Sequence, residues 1–342
     1  MLRLHGKSSP ISRTPPAAAT SFDRLVIAGL DLDESARSVA DTRFHRNPSR
    51  FPVGLRHMAS APARPGSQRD TGVVVQDRER LRRTFDRAAD LYQDARPEYP
   101  EGLFDRLVDV TRLRPGDRVL EVGAGPGKAT VPLARRGLRV TALEPGPALA
   151  ACARQNLANY DVEIVEARFE DWDGAPGDYA AVLAATAWHW VDPEVRYLAA
   201  ARALQPGGYL ATWGAEHVFP PGGDPFFEDI QEVYDAIGEG LPEDARRPAP
   251  GQLEDQSAEI NASGLFEVVT VEHFDWTVDY DADGYIRLLS TFSDHIAMAA
   301  EDREQLFTEI RRRLAQRPDG LVRRGWGAVL HIARLRSAGD KR

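Results

Sequence analysis

The stretch Val119-Leu120-Glu121-Val122-Gly123-Ala124-Gly125-Pro126-Gly127 decides the fold, because it runs from a β-rich segment straight into three alternating glycines. Arg118 to Val122 reads as a strand, Gly123 to Gly127 as a tight turn and Lys128 to Arg136 as a helix. Glycine has no Cβ to bar a sharp turn or a closely approaching ligand, so such a turn at a strand-to-helix junction suits a ligand cradle. The spacing is G-x-G-x-G. A dinucleotide fingerprint would need its third glycine where Lys128 stands, and no Gly-Lys-Ser/Thr closes the turn as in a phosphate-binding loop.

Outward from the turn, strand and helix patterns alternate. Strand Arg139 to Leu143 precedes helix Pro147 to Ala158 and strand Val162 to Val165; strand Tyr179 to Ala184 precedes helix Pro193 to Leu204 and strand Gly208 to Trp213. This alternation predicts an α/β fold, a doubly wound, mostly parallel sheet with helices on both faces. Upstream, apolar residues recur at helical spacing over Asp77 to Tyr92 and Glu101 to Val110. The connection Ala95-Arg96-Pro97-Glu98-Tyr99-Pro100 is kept extended by its prolines. Downstream, helical segments near Pro225 to Ile237, Asp281 to Leu289 and Asp302 to Leu314 surround two further strands, Phe266 to Val271 and Trp326 to Ala333. The expectation is one domain over residues 71–338, with a seven-stranded sheet and helical insertions at about 220–263 and 281–320.

Glu144 ends the strand after the glycine turn, at the carboxyl edge where sheets of this kind bind ligands. A carboxylate there can accept both hydroxyls of a ribose; it can also cap the helix that starts near Pro147.

These residues carry a family resemblance. Glu121 to Gly127, Glu144-Pro145 and Ala185-Thr186-Ala187-Trp188-His189-Trp190 resemble the class I S-adenosylmethionine-dependent methyltransferases, which have a Rossmann-like fold. Tyr92 to Pro100, Phe169-Glu170-Asp171-Trp172 and the His189-Trp190 pair are similar to bacterial small-molecule enzymes of the trans-aconitate methyltransferase type. The resemblance covers about residues 80 to 335. It implies S-adenosylmethionine as cofactor. Glu121, Gly123, Gly125 and Gly127 would surround its methionine and ribose portion, Glu144 and Pro145 the ribose, Phe169 and Glu170 the adenine, with Thr186 also on the cofactor and Tyr92 and Arg96 in a flap over it. Many members carry an aspartate before the residue matching Phe169; here it is Arg168, which has no acceptor lone pair, so adenine recognition passes to backbone, Glu170 or Asp171.

Methyl transfer is an in-line displacement, so alignment is the protein's main task. A carboxylate acceptor needs no general base, whereas a hydroxyl benefits from one. His189, following the strand Tyr179 to Ala184, is the candidate catalytic base, with wall-shaping as its plainer role. His295 in Thr291-Phe292-Ser293-Asp294-His295 is a second. Arg96, Arg196, Arg287, Arg323 or Arg324 could pair with an acidic substrate, and Phe226, Phe227, Tyr285 and Phe292 could line its pocket, core packing being the default for such aromatics. The eight histidines are scattered and no Cys/His cluster has ligand spacing, so no metal is expected.

Charge sets further bounds. The net charge is -9, with +5 over residues 1–70 and -14 over the rest. An acidic body argues against nucleic acid as partner. The first 70 residues, rich in Ser, Pro, Ala and Arg, read as a disordered extension. Met58, just before the first convincing helix, offers an alternative start. The lone Cys152 suits a cytoplasmic enzyme, and no apolar run is long enough for a membrane helix. A small-molecule acceptor is the expected partner; oligomeric state is not legible. Two competing readings remain: a catalytically silent S-adenosylmethionine-binding or regulatory protein, and an NAD(P)-dependent oxidoreductase, which the glycine spacing disfavours.

Overall fold

A computed structural model of the chain describes residues 93–241 and 247–337. The expectations for residues 1–70, for the helix over 77–92 and for Tyr92 lie outside the described residues.

β1 (Arg118–Val122) is flanked by β2 (Arg139–Leu143) and β4 (Tyr179–Ala185); β2 pairs with β3 (Val162–Val165) and β4 with β5 (Leu204–Trp213), all parallel. Chain order reverses between β1 and β4, which opens a crevice at their carboxyl ends. Alternate strand residues feed two cores. Val119, Val140, Ala181, Leu183 and Ala211 pack under α1 (Glu101–Thr111) and α2 (Thr130–Arg135), while Leu120, Leu143, Val182, Ala184 and Leu210 pack under α4 (Arg196–Ala203) and α7 (Ser257–Ala262). α3 (Pro147–Asn156) joins β2 to β3 and buries Leu149, Ala150 and Ala153. The expected doubly wound α/β architecture is therefore present.

The far side of the sheet is larger than expected. β8 (Val322–Leu335) runs antiparallel to β5, and β7 (Phe266–Tyr280) pairs with β8 along its whole length. β6 (Glu216–Val218) continues β5 after Gly214-Ala215 and pairs with Gly325 to Gly327 of β8, so the sheet has eight strands. Thr212 of β5 lies opposite His331; residues 322–330 of β8 thus extend beyond that pairing as a ribbon with β6 and β7. Polar residues on both faces (Thr270 and Glu272 on one, Asp275 and Asp279 on the other) hid β7's true length, because much of the strand stays partly exposed.

Helices cover one face of this ribbon. α5 (Phe226–Asp229), α6 (Gln231–Ala236), α8 (Ala282–Leu289), α9 (Ser293–Ala297) and α10 (Ala300–Ala315) form a cap. On α10 the buried stripe Leu306, Ile310 and Leu314 meets Tyr285, Ile286 and Leu289 of α8 together with Trp326 of β8. The single helix expected over Pro225 to Ile237 is two short ones meeting at Ile230. Among the described residues, no helix is long and apolar enough to cross a membrane.

Candidate active site

The turn after β1 is held open by backbone that only glycine adopts cheaply. Gly123 and Gly125 have φ of 67° and 58°, and the N–H groups of Gly123 and Ala124 donate to the Leu143 carbonyl at 2.9 and 3.0 Å. A Cβ on Gly123 would stand 2.6 Å from that of Ala187, whereas one on Gly125 would meet nothing within 4 Å. Gly123 is therefore a packing glycine, and Gly125 borders open space.

Glu144 clasps this turn. Its carboxylate accepts the Gly125 N–H and the Gly146 N–H, both at 2.8 Å, so one side chain ties the cradle to the start of α3. A carboxylate oxygen can accept more than one hydrogen bond, so this group suits a ligand hydroxyl. Pro145 beside it is exposed. At the end of β1, Glu121 is buried at 1% exposure, and its Oε2 has no hydrogen-bond partner. Burial pushes its carboxyl up to about 7, with the Glu144 charge adding to the rise and Thr130 opposing it.

Across the crevice, Phe169 opens the short turn Phe169–Asp171 and is buried against Trp188, ring centroids 6.3 Å apart. Glu170 Oε1 accepts from Arg168 Nη2 at 3.2 Å and from the Asp192 N–H at 3.1 Å. It thereby fastens the turn after β3 to the turn after β4, and Arg168 is turned towards Glu170 and Asp171. Thr186, after β4, holds φ of 53°, a rare conformation for a β-branched residue. Its N–H donates to the Trp213 carbonyl at 2.7 Å, and its hydroxyl lies 2.6 Å from the Tyr99 hydroxyl. Tyr99, not singled out as a site residue, is wedged edge-on between Phe104 and Trp213.

Arg96 reaches the cap. Its Nε donates to Thr291 Oγ1 and its Nη2 to the Thr291 carbonyl, both at 2.8 Å, and the guanidinium lies 4.1 Å from the Phe292 ring centroid. His189 sits exposed on the short turn Trp188–Trp190, 5.1 Å from the Trp190 ring. His295 is buried in the cap. Its Nδ1 lies 2.9 Å from Asp294 Oδ1 and its Nε2 2.8 Å from the Tyr234 hydroxyl. A carboxylate at Nδ1 favours the tautomer protonated there, which leaves Nε2 to accept from Tyr234. Burial works to raise the Asp294 carboxyl, but the His295 contacts outweigh it and hold it below the usual range; burial pushes Tyr234 well above its ordinary value. The Asp294–His295–Tyr234 line was legible only as a lone histidine, because Tyr234 is 61 residues away.

The cradle bordering Gly125, the unpartnered buried oxygen of Glu121 and the accepting carboxylate of Glu144 suit S-adenosylmethionine, a cation with a ribose diol. When bound, that group supplies a methyl activated by a sulfonium. Among the described residues, no cluster of His, Cys, Asp or Glu could hold a metal.

Comparison with known proteins identifies the family. A model described as a methyltransferase domain matches residues 119–208. An uncharacterized methyltransferase of Mycobacterium tuberculosis (strain H37Rv) is 30% identical over 237 residues, which span 69% of this chain and 87% of that protein. An uncharacterized methyltransferase-like protein of Schizosaccharomyces pombe is 25% identical over 64% of this chain and 81% of its own length. Among solved structures, a candidate type II methyltransferase from Anaeromyxobacter dehalogenans shares the fold, with a TM-score of 0.53 at 24% identity over 70% of this chain and 97% of that one. With the cradle, its acidic clasp and a relative matched over most of its length, the chain belongs to the class I S-adenosylmethionine-dependent methyltransferases.

Proposed function

We propose that the protein transfers the methyl group of S-adenosylmethionine to a small-molecule acceptor, a carboxylate or a hydroxyl, in the cytoplasm. The observation that carries this reading is the strap Ala95 to Pro100. Ala95 packs into the cap core, Arg96 bonds Thr291 of the cap, and Tyr99 bonds Thr186 beside the cradle. Donor and acceptor sides are thereby held by one short segment, which suits an enclosed small acceptor better than nucleic acid. In this reading Glu144 and Pro145 bind the ribose, Phe169 and Glu170 border the adenine, Glu121 and the turn shaped by Gly123, Gly125 and Gly127 surround the methionine and ribose portion with Gly125 nearest it, and Thr186 and Arg96 close the site with Tyr92. A kinship to trans-aconitate-type enzymes belongs to the same proposal.

A carboxylate acceptor arrives ionised and needs only positioning. For a hydroxyl acceptor, His189 is the group to take the proton. Methyl-labelled S-adenosylmethionine, incubated with pools of small acids, phenols, alcohols and amines, tests both. Label released as methanol by mild alkali identifies an ester and a carboxylate acceptor; alkali-stable label on a hydroxyl makes His189→Ala the deciding variant. Labelled amines alone would refute the acceptor class, and no label from any pool, with cofactor binding intact, would favour a silent binder.

A further inference from the structure

The arginines that could meet an acidic ligand differ sharply once placed in the fold. Arg196 is paired with Glu259, Arg317 with Asp224 and Arg323 with Asp279, while Arg287 is exposed. Arg324 is different. It is buried at 7% exposure, and among the described residues no carboxylate lies within ion-pair distance of it. Its one hydrogen bond is from Nη1 to the Tyr285 hydroxyl at 3.3 Å, and its Nε–H is buried with no partner. A buried cation without a counter-charge costs stability, so its retention calls for a compensating role.

Its surroundings repeat the same deficit. Strand register places Tyr280, Arg324 and Trp326 on one face of the β7–β8 ribbon, with His217 of β6 directly opposite Trp326. His217 Nε2 is buried without a hydrogen-bond partner, and the Tyr280 hydroxyl and Trp326 Nε1 are buried with no partner beyond their loose approach to each other. Native proteins leave few such atoms, so their gathering around a bare guanidinium is informative. The set is rich in donors: two N–H groups, a hydroxyl and an imidazole. Burial, with the charges of Arg324 and Arg247, holds His217 down to about 2, so the imidazole adds no second charge. The walls are aromatic, with Arg324 Cζ 4.6 Å from the Trp326 ring centroid and 5.4 Å from that of Phe292. Phe292 is also the ring over which Arg96 of the strap lies, so this nest adjoins the segment that reaches the cradle.

We propose that Arg324 anchors an anionic group, a carboxylate, of a small acid whose apolar body lies among the aromatic side chains of the cap. The placement of this anchor on the acceptor side rests on the methyl-transfer reading; the anion site itself does not. Planar guanidinium and carboxylate match in pairs of parallel hydrogen bonds, and Tyr280 and Trp326 can donate to oxygens left over.

The full-length protein is titrated calorimetrically with benzoate, phenylacetate and hexanoate and with the three corresponding amides, each with and without S-adenosylhomocysteine. At least one acid is expected to bind, and its amide at least about tenfold more weakly. Arg324→Met should lose at least about tenfold in affinity for that acid while Arg323→Met keeps it. Arg324→Met should also bind S-adenosylhomocysteine like the wild type and melt at the same temperature or higher, because an uncompensated buried charge has gone. Amides binding as well as acids, an unchanged acid affinity in Arg324→Met, or no acid binding to the wild type would each overturn the proposal. Failure of the wild type to bind S-adenosylhomocysteine would instead remove the methyl-transfer reading and leave the acid titrations to judge the anchor alone.

Discussion

Alanine at Gly123 and alanine at Gly125 should fail in different ways. Both positions have positive φ, so alanine at either costs about 1–2 kcal/mol of left-handed strain. Only Gly123 faces an obstacle: its new Cβ would stand 2.6 Å from that of Ala187, and the turn after β4 has to shift to admit it. That repacking adds roughly 1–3 kcal/mol. In a domain of this size each kcal/mol lowers the melting temperature by about 2–4 °C, so Gly123→Ala should melt on the order of 10 °C low and Gly125→Ala about 2–8 °C low. For Gly125 the larger effect falls on the ligand, because its Cβ enters the space beside the Glu144 clasp. Affinity for S-adenosylhomocysteine should drop at least about tenfold. Melting curves and calorimetric titration of the two variants separate these effects. Equal melting temperatures, or a Gly125→Ala protein that binds like the wild type, would refute the division of labour.

Three further outcomes follow from the same geometry. Glu121 stays protonated in the fold up to about pH 7, while in the unfolded chain it ionises near 4.5; its contribution is full below pH 4.5, is lost as pH rises to about 7, and is flat above. The loss is on the order of 3 kcal/mol, so Glu121→Gln should gain about that much over the wild type in urea unfolding at pH 8 but not at pH 4.5, and equal pH dependence in both proteins would contradict this. Glu144→Ala orphans the Gly125 and Gly146 N–H groups and should cost about 1–3 kcal/mol, leaving a folded protein with at least tenfold weaker S-adenosylhomocysteine binding; unchanged affinity would remove Glu144 from the site. Arg196→Met, which loses a hydrogen bond to the Trp188 carbonyl and the pair with Glu259, should be destabilised by about 2 kcal/mol; a melting temperature equal to that of the wild type would show the pair to be idle.

The glycine turn and the carboxylate beside it were legible in the sequence because their geometry is local. A strand, a glycine turn and the end of the next strand lie within Arg118 to Gly146, and the parallel register of β1 with β2 brings Glu144 to the turn. The cap resisted reading for the opposite reason. Tyr234 meets His295 across 61 residues, Tyr285 meets Arg324 across 39, and no spacing rule links residues that far apart. β7 misled in another way. Its exposed side carries Asp275, Thr277 and Asp279, and its other face carries Glu272 as well, so the run after Val271 resembles a polar loop until β8 supplies its backbone partners. The partner of Arg96 was equally out of reach, since Thr291 of the cap, which its nitrogens bond, lies 195 residues away.

The strap explains why two halves of unlike legibility act as one site. Ala95 ends a helical turn and Arg96 bends away from it, after which Pro97 and Pro100 restrict the backbone of the coil up to Pro100, and a restricted segment transmits position better than a flexible one. At one end Arg96 fixes Thr291 through two hydrogen bonds, and at the other Tyr99 fixes Thr186, whose left-handed backbone costs about 1–3 kcal/mol. That strain persists because the Trp213 carbonyl and the Tyr99 hydroxyl both hold the residue in place. Thr186 stands just beyond β4, beside Ala187, whose Cβ closes the packing around Gly123. A shift of the cap would therefore reach the glycine cradle through three consecutive rigid contacts; under the proposed function, that would couple the seating of an acceptor to the shape of the cradle.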